Sequence, residues 1–162
     1  MRRSVTCWEG VEMDDLQALN SRILNQMGAS NVNLRAILNL VSVCLGRLKP
    51  DGRELTDVLS KLSGVTHENS LDVTSINREY LGFARQTARD ITGGYFDGLI
   101  ILNIDLCQAR ALSRLTNQQI AELSRRWPGT IFEVSANFHR SVQELHAAAV
   151  PHYSAAILAA AA

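Results

Sequence analysis

Leu115-Thr116-Asn117-Gln118-Gln119-Ile120-Ala121-Glu122-Leu123-Ser124 is the stretch from which the fold is read. Thr116 is a helix N-cap, and Gln119 stands three positions later. At that spacing the threonine hydroxyl and the glutamine side chain each reach the other residue's backbone N–H. Ile120 and Leu123 then supply an apolar stripe. Pro128-Gly129 closes the helix, and Thr130-Ile-Phe-Glu-Val134 follows, rich in branched and aromatic residues, as a short extended segment. Upstream, Asp105 caps another helix holding Leu106, Ala109, Leu112 and Leu115. The apolar run Phe96 to Ile104 fits a helix or a strand by periodicity; its helical neighbours and weak alternation favour a helix.

Further out the pattern stays helical. Gly93-Gly94 permits a break. Before it, Ile76, Tyr80, Phe83, Ala84 and Ala88 form one face of a helix expected to be capped by Ser75. Residues 65–72 are polar, lack a period and read as a linker. Ahead of them, a short helix is expected from about Glu54 to Leu62, after the Pro50-Asp51-Gly52 turn. Another helix is expected to carry Leu34, Ile37, Leu38, Val41, Cys44, Leu45 and Leu48 on a wide apolar face. The first begins near Met13, with Leu16, Leu19, Ile23, Leu24 and Met27 inward. At the far end, Ser135 or Asn137 is expected to cap a last helix, ahead of an alanine-rich tail.

Composition narrows the class. The 162 residues are 46% hydrophobic and 20% charged, enough for a packed core. Sixteen Lys and Arg balance sixteen Asp and Glu, so no global field draws a polyanion; nucleic acid would need a local patch or a basic partner. Arg110, Arg114, Arg125, Arg126 and Arg140 all fall in the second half. Three cysteines, Cys7, Cys44 and Cys107, form no Cys-x-x-Cys pair, which fits a reducing compartment. Cys44 and Cys107 read as small core residues. His139 and His146 are seven apart, not the four usual for helical metal ligands, so surface histidines are the expectation. No apolar run reaches the ~20 residues of a membrane span. No nucleophile elbow, phosphate loop or carboxylate pair with a base stands out. The expectation is a cytoplasmic, non-enzymatic protein with no cofactor and no metal.

Read together, Asn77, Tyr80, Leu81, Ala84, Asp90, Leu102, Ile104, Ala109, Leu112, Leu115-Thr116, Gln119, Leu123 and Ile131 to Val134 form an ordered pattern. Residues 77–137 resemble the FlhD family of bacterial flagellar transcriptional regulators. The register runs without a gap from Leu102 to Leu123. A few extra residues lie between Ala84 and Leu102, and three substitutions stand out. Asn103 replaces a usual glycine, at a position where asparagine tolerates positive φ. Phe132 replaces a cysteine that links subunits in some members, and Glu133 replaces a basic residue. Residues 1–70 have no counterpart.

The resemblance implies an all-α, multi-helix bundle forming an intertwined homodimer, with one short β-segment near 130–135. It further implies joint action with an FlhC-like subunit, DNA being bound as part of the complex. The organisation that follows is an N-terminal helical module (1–70), a dimerisation domain (73–150) and a tail (151–162). Tyr80, Leu81, Ala84, Leu102, Ile104, Leu112, Leu115, Leu123 and Phe132 are the expected dimer interface. Arg125, Arg126 and Arg140 are candidate DNA or partner contacts. Arg125-Arg126 also reads as a simple offset of a helix C-terminal dipole. A helix-turn-helix over 116–145 is disfavoured by its long central connection. The competing functional class is a helical adaptor without a role in transcription, docking through the wide face 34–48.

Overall fold

The computed structural model describes residues 13–26, 43–62 and 64–134. Within them run α1 (Met13–Gln26), β1 (Gly46–Leu48), α2 (Gly52–Leu62), α3 (Leu71–Thr92), α4 (Asp97–Leu102), α5 (Leu106–Ser113), α6 (Asn117–Arg126) and β2 (Phe132–Val134). The architecture is all-α with one two-stranded antiparallel ribbon. The expected caps at Asp105 and Thr116 are both complete capping boxes. Asn103 ends α4 in the left-handed region at φ 50°, ψ 51°, and the extended piece near 130–135 is β2.

α3 is the central element, packed by α1, α4, α5 and α6. Its buried residues, Ile76, Asn77, Tyr80, Leu81, Ala84, Thr87, Ala88 and Ile91, cover more than one stripe because partners lie on several sides. Small residues set the closest approaches. A Cβ on Gly98 of α4 would sit 2.7 Å from the Thr87 methyl and 2.8 Å from Ile91. One on Gly52 of α2 would sit 2.6 Å from the Cys107 backbone of α5. Residues on both sides of the 65–72 segment, from Leu16 to Phe132, contribute to one hydrophobic core.

Three elements depart from the sequence reading. The helix expected to run through Leu48 is absent from Val43 onward: Gly46–Leu48 pairs with Phe132–Val134, Leu48 opposite Phe132. The backbone there has better partners than a helix offers. Asn20, buried on α1, donates to the Val43 carbonyl (2.9 Å) and accepts from the Leu45 N–H (2.8 Å). The Cys44 N–H donates to the Ile101 carbonyl (2.6 Å). Gly46 leaves room for the Phe132 ring, whose nearest carbon lies 2.8 Å from where a Cβ would stand. The rest of that expected face, residues 27–42, lies outside the described residues, as does the expected last helix.

The cap of α3 is Ser70, not Ser75; the Ser70 hydroxyl accepts from the Val73 N–H. Both serines can cap, and the choice falls to Ser70 because Asn69 beside it is tied to α6. The linker is therefore shorter than expected and firmly anchored. Finally, Cys107 is exposed while Cys44 is buried. Cys107 is the second residue of α5, on the side away from the inward-facing Gln108, Ala109 and Leu112.

Candidate functional site

The nine residues expected to form a dimer interface are all buried within a single chain. Tyr80 packs on Phe132, ring centroids 4.8 Å apart. Leu112, Leu115 and Leu123 sit with Leu81, Ala84, Leu102 and Ile104 in the common core. Their apolar surface is covered by α1, α2 and the ribbon. These side chains are thus core residues, and the interface assignment is corrected.

The asparagine that opens the pattern also has a structural task. Asn77 is buried; its Nδ2 donates to the Ser124 (3.3 Å) and Gly129 (2.9 Å) carbonyls, and its Oδ1 accepts from the Ile131 N–H (2.9 Å). Asn69 works the same turn from outside. Its amide donates to the Ser124, Trp127 and Gly129 carbonyls, its Oδ1 accepts from Gly129, and its own N–H donates to the Arg125 carbonyl. Two asparagines therefore satisfy the orphan carbonyls at the end of α6 and fix its passage into β2. Gly129, at φ 73°, makes that passage possible.

The basic candidates divide. Arg125 pairs with Glu122 (2.8 Å) and Glu68 (3.6 Å). Arg126 pairs with Glu122 (3.0 Å) and donates to the Leu62 carbonyl (2.8 Å). Both are engaged within the chain, which matches the dipole-offset reading better than a free phosphate contact. Arg140 lies outside the described residues.

Two titratable groups depart clearly from their ordinary behaviour. Burial pushes the Cys44 thiol from 9.0 up to about 12, a hydrogen bond from Gly46 opposing the rise. Burial, then the nearby Cys44, holds the Tyr80 phenol well above its usual value. Both groups are locked neutral, a poor state for a nucleophile or base. Among the described residues the Tyr80 hydroxyl has no hydrogen-bond partner. Among the described residues, no three His, Cys, Asp or Glu side chains converge to hold a metal. His67 is exposed beside Asn69. Among the same residues no helix is long and apolar enough to cross a membrane.

What remains at the surface is a stripe missed in the sequence. Tyr95, Phe96, Ile100 and Leu106 expose large apolar side chains, Ile100 to 72% and Phe96 to 59%. Phe96 caps α4 at its start and Ile100, four residues on, stands on its outer face, while Gly98, Ile101 and Leu102 point inward. The run is apolar all round, so periodicity could not tell the outer face from the inner. The chain matches no family model, no curated protein and no solved structure.

Proposed function

We propose that the chain is an FlhD-like transcriptional co-regulator: a cytoplasmic, non-enzymatic helical protein that pairs with its own copy and joins an FlhC-like DNA-binding subunit on flagellar or related operons. The observation that carries this reading is the closure of the sequence pattern on itself. Asn77 opens the pattern and bonds directly to Gly129 and Ile131 at its end. The intervening anchors each have a task in the same unit: the caps Asp105 and Thr116, the left-handed turn at Asn103, and the core residues Tyr80, Leu112 and Leu123. A pattern of this kind specifies a scaffold, and a scaffold that assembles needs an apolar surface. The Tyr95-to-Leu106 stripe supports that part of the reading, and any homodimer would use it in place of the buried nine. With Phe132 in the core, an intersubunit disulfide is not part of the proposal.

Co-expression with an FlhC-like subunit tests it. The expected result is co-purification of the two chains and, at physiological salt with excess random-sequence competitor duplex, a sequence-specific retardation of a flagellar promoter fragment that neither chain gives alone. Separate elution of the two chains, with promoter mobility unchanged by this one, would overturn it. The adaptor reading draws on the same stripe. It is favoured if a defined partner protein is retained stoichiometrically and no DNA is.

A further inference from the structure

Four arginines lie on α3 and on the C-terminal half and C-cap of α5, the two helices being packed together. Arg85 Nη1 donates to the Leu115 carbonyl (3.1 Å) and Arg89 Nε to the Ser113 carbonyl (3.4 Å), so two side chains of α3 lie across the C-terminal end of α5. Arg114, exposed, stands between those two carbonyls, and Arg110, also exposed, is one turn back on α5. Each of Arg85 and Arg89 uses one of five guanidinium donors in these bonds. Among the described residues, Arg110 and Arg114 have no ion pair or side-chain hydrogen bond, and no carboxylate lies within 4.0 Å of any of the four. The contrast with Arg125 and Arg126, both spent on Glu122, is direct.

We infer that Arg85, Arg89, Arg110 and Arg114 form a contact surface for the phosphate backbone of duplex DNA. A helix C-terminus carries about half a negative charge, so one cation would offset it; three remain in excess. Guanidinium groups bind phosphate bidentately. No acidic residue occurs from Leu106 to Ala121, and of the large apolar side chains exposed among the described residues, Leu106 alone lies on α5, one turn before Arg110. The choice of DNA among phosphate polymers rests on the reading under Proposed function; the phosphate chemistry rests on the arginines alone.

The test uses the full chain and a fluorescein-labelled duplex of random sequence, followed by anisotropy from 50 to 200 mM NaCl. Four phosphate contacts give a log–log salt slope of about −3.6. Arg110→Glu with Arg114→Glu is expected to weaken binding at 50 mM NaCl at least tenfold, with an unchanged melting temperature, whereas Arg125→Glu changes it less than twofold. Arg110→Gln with Arg114→Gln serves if the charge reversal impairs folding, and is expected to reduce the slope by about two. The inference is overturned if the unaltered chain fails to bind at 50 mM NaCl, or if either double variant binds as the parent does. It is also overturned if Arg125→Glu weakens binding equally, or if anionic phospholipid vesicles are bound while the duplex is not. Because the duplex has no promoter sequence and no partner is present, failure here leaves the co-purification experiment untouched, and the reverse holds too.

Discussion

The turn from Ser124 to Ile131 and the stretch from Tyr95 to Leu106 invert the usual arrangement of a protein in opposite ways. At the turn, a polar side chain goes inside: Asn77 is buried, and its amide meets two carbonyls and one N–H. At the stretch, large apolar side chains stay outside. A buried amide is tolerated only when its bonding capacity is met, so Asn77 is part of what closes the fold. An uncovered apolar stripe forgoes roughly 25 cal/mol for each Å² left in water, so it contributes nothing to the single chain and is available for association. The ordered residue pattern from Asn77 to Val134 is concentrated in the first kind of region. Its residues explain how the chain folds, and the surface that acts has to be sought among residues the pattern leaves out.

The largest expected effect comes from treating a core residue as if it were an interface residue. Leu112→Asp places a carboxylate in the fully buried space between α3 and α5, at a cost above about 4 kcal/mol. The expected outcome is loss of cooperative unfolding by circular dichroism, with no soluble folded monomer. A folded, monomeric Leu112→Asp protein in light scattering would restore the interface assignment and break the comparison.

Asn77→Ala comes next. It leaves the buried Ile131 N–H without its partner and removes one of the two amides that serve the Gly129 carbonyl, at roughly 1–3 kcal/mol. Urea unfolding should show a lower midpoint with an unchanged slope. A loss under about 0.5 kcal/mol would mean that water reaches the turn and that Asn77 does not close it.

How much of this was legible in the sequence follows from which residues act locally. The capping boxes at Asp105 and Thr116 and the turn at Asn103 were readable because a cap's partners lie three residues away. The strand Gly46–Leu48 was not, because its reasons are Asn20, Ile101 and Phe132, distant in sequence and invisible to periodicity. The same limit moved the α3 cap to Ser70, whose neighbour Asn69 is held by α6. The candidate interface failed for a related cause. Apolar stripes show that something covers a helix, and whether the cover is the same chain or a second one depends on α1, α2 and the ribbon. The arginines followed the same rule. Arg85 and Arg89 joined Arg110 and Arg114 only once α3 lay against α5.

Tyr80→Phe sharpens the contrast within the core itself. Asn77 has all its partners, whereas the Tyr80 hydroxyl has none among the described residues. Removing that hydroxyl should leave stability unchanged or raise it by about 1 kcal/mol at neutral pH. The alkaline side should change as well. Tyr80 and Cys44 are both held protonated by the fold, so their contribution is complete below their ordinary values, 10.0 and 9.0, and declines as pH climbs, for the thiol toward about 12. Between pH 9 and 11 the variant should lose less stability than the parent, measured by urea midpoints across that range. A loss of more than 1 kcal/mol at pH 7 would reveal a partner for the hydroxyl.

The smallest effect on stability, and the most informative for function, belongs to Ile100→Asp. The side chain is 72% exposed, so its replacement removes little buried area from the single chain, and the unfolding free energy should move by no more than about 0.5 kcal/mol. The neighbouring Asp97 and Asp105 already make this face acidic, so a third carboxylate adds like charge to a surface that an apolar partner face would have to dehydrate. If the stripe joins two copies, sedimentation should show the dimer of the parent protein replaced by monomer at unchanged melting temperature. If the dimer persists, the Tyr95-to-Leu106 stripe is not where the copies meet. If the melting temperature falls by more than about 5 °C, Ile100 belongs with the buried residues, and the division between a region that folds the chain and a region that presents it to others does not run where the exposures put it.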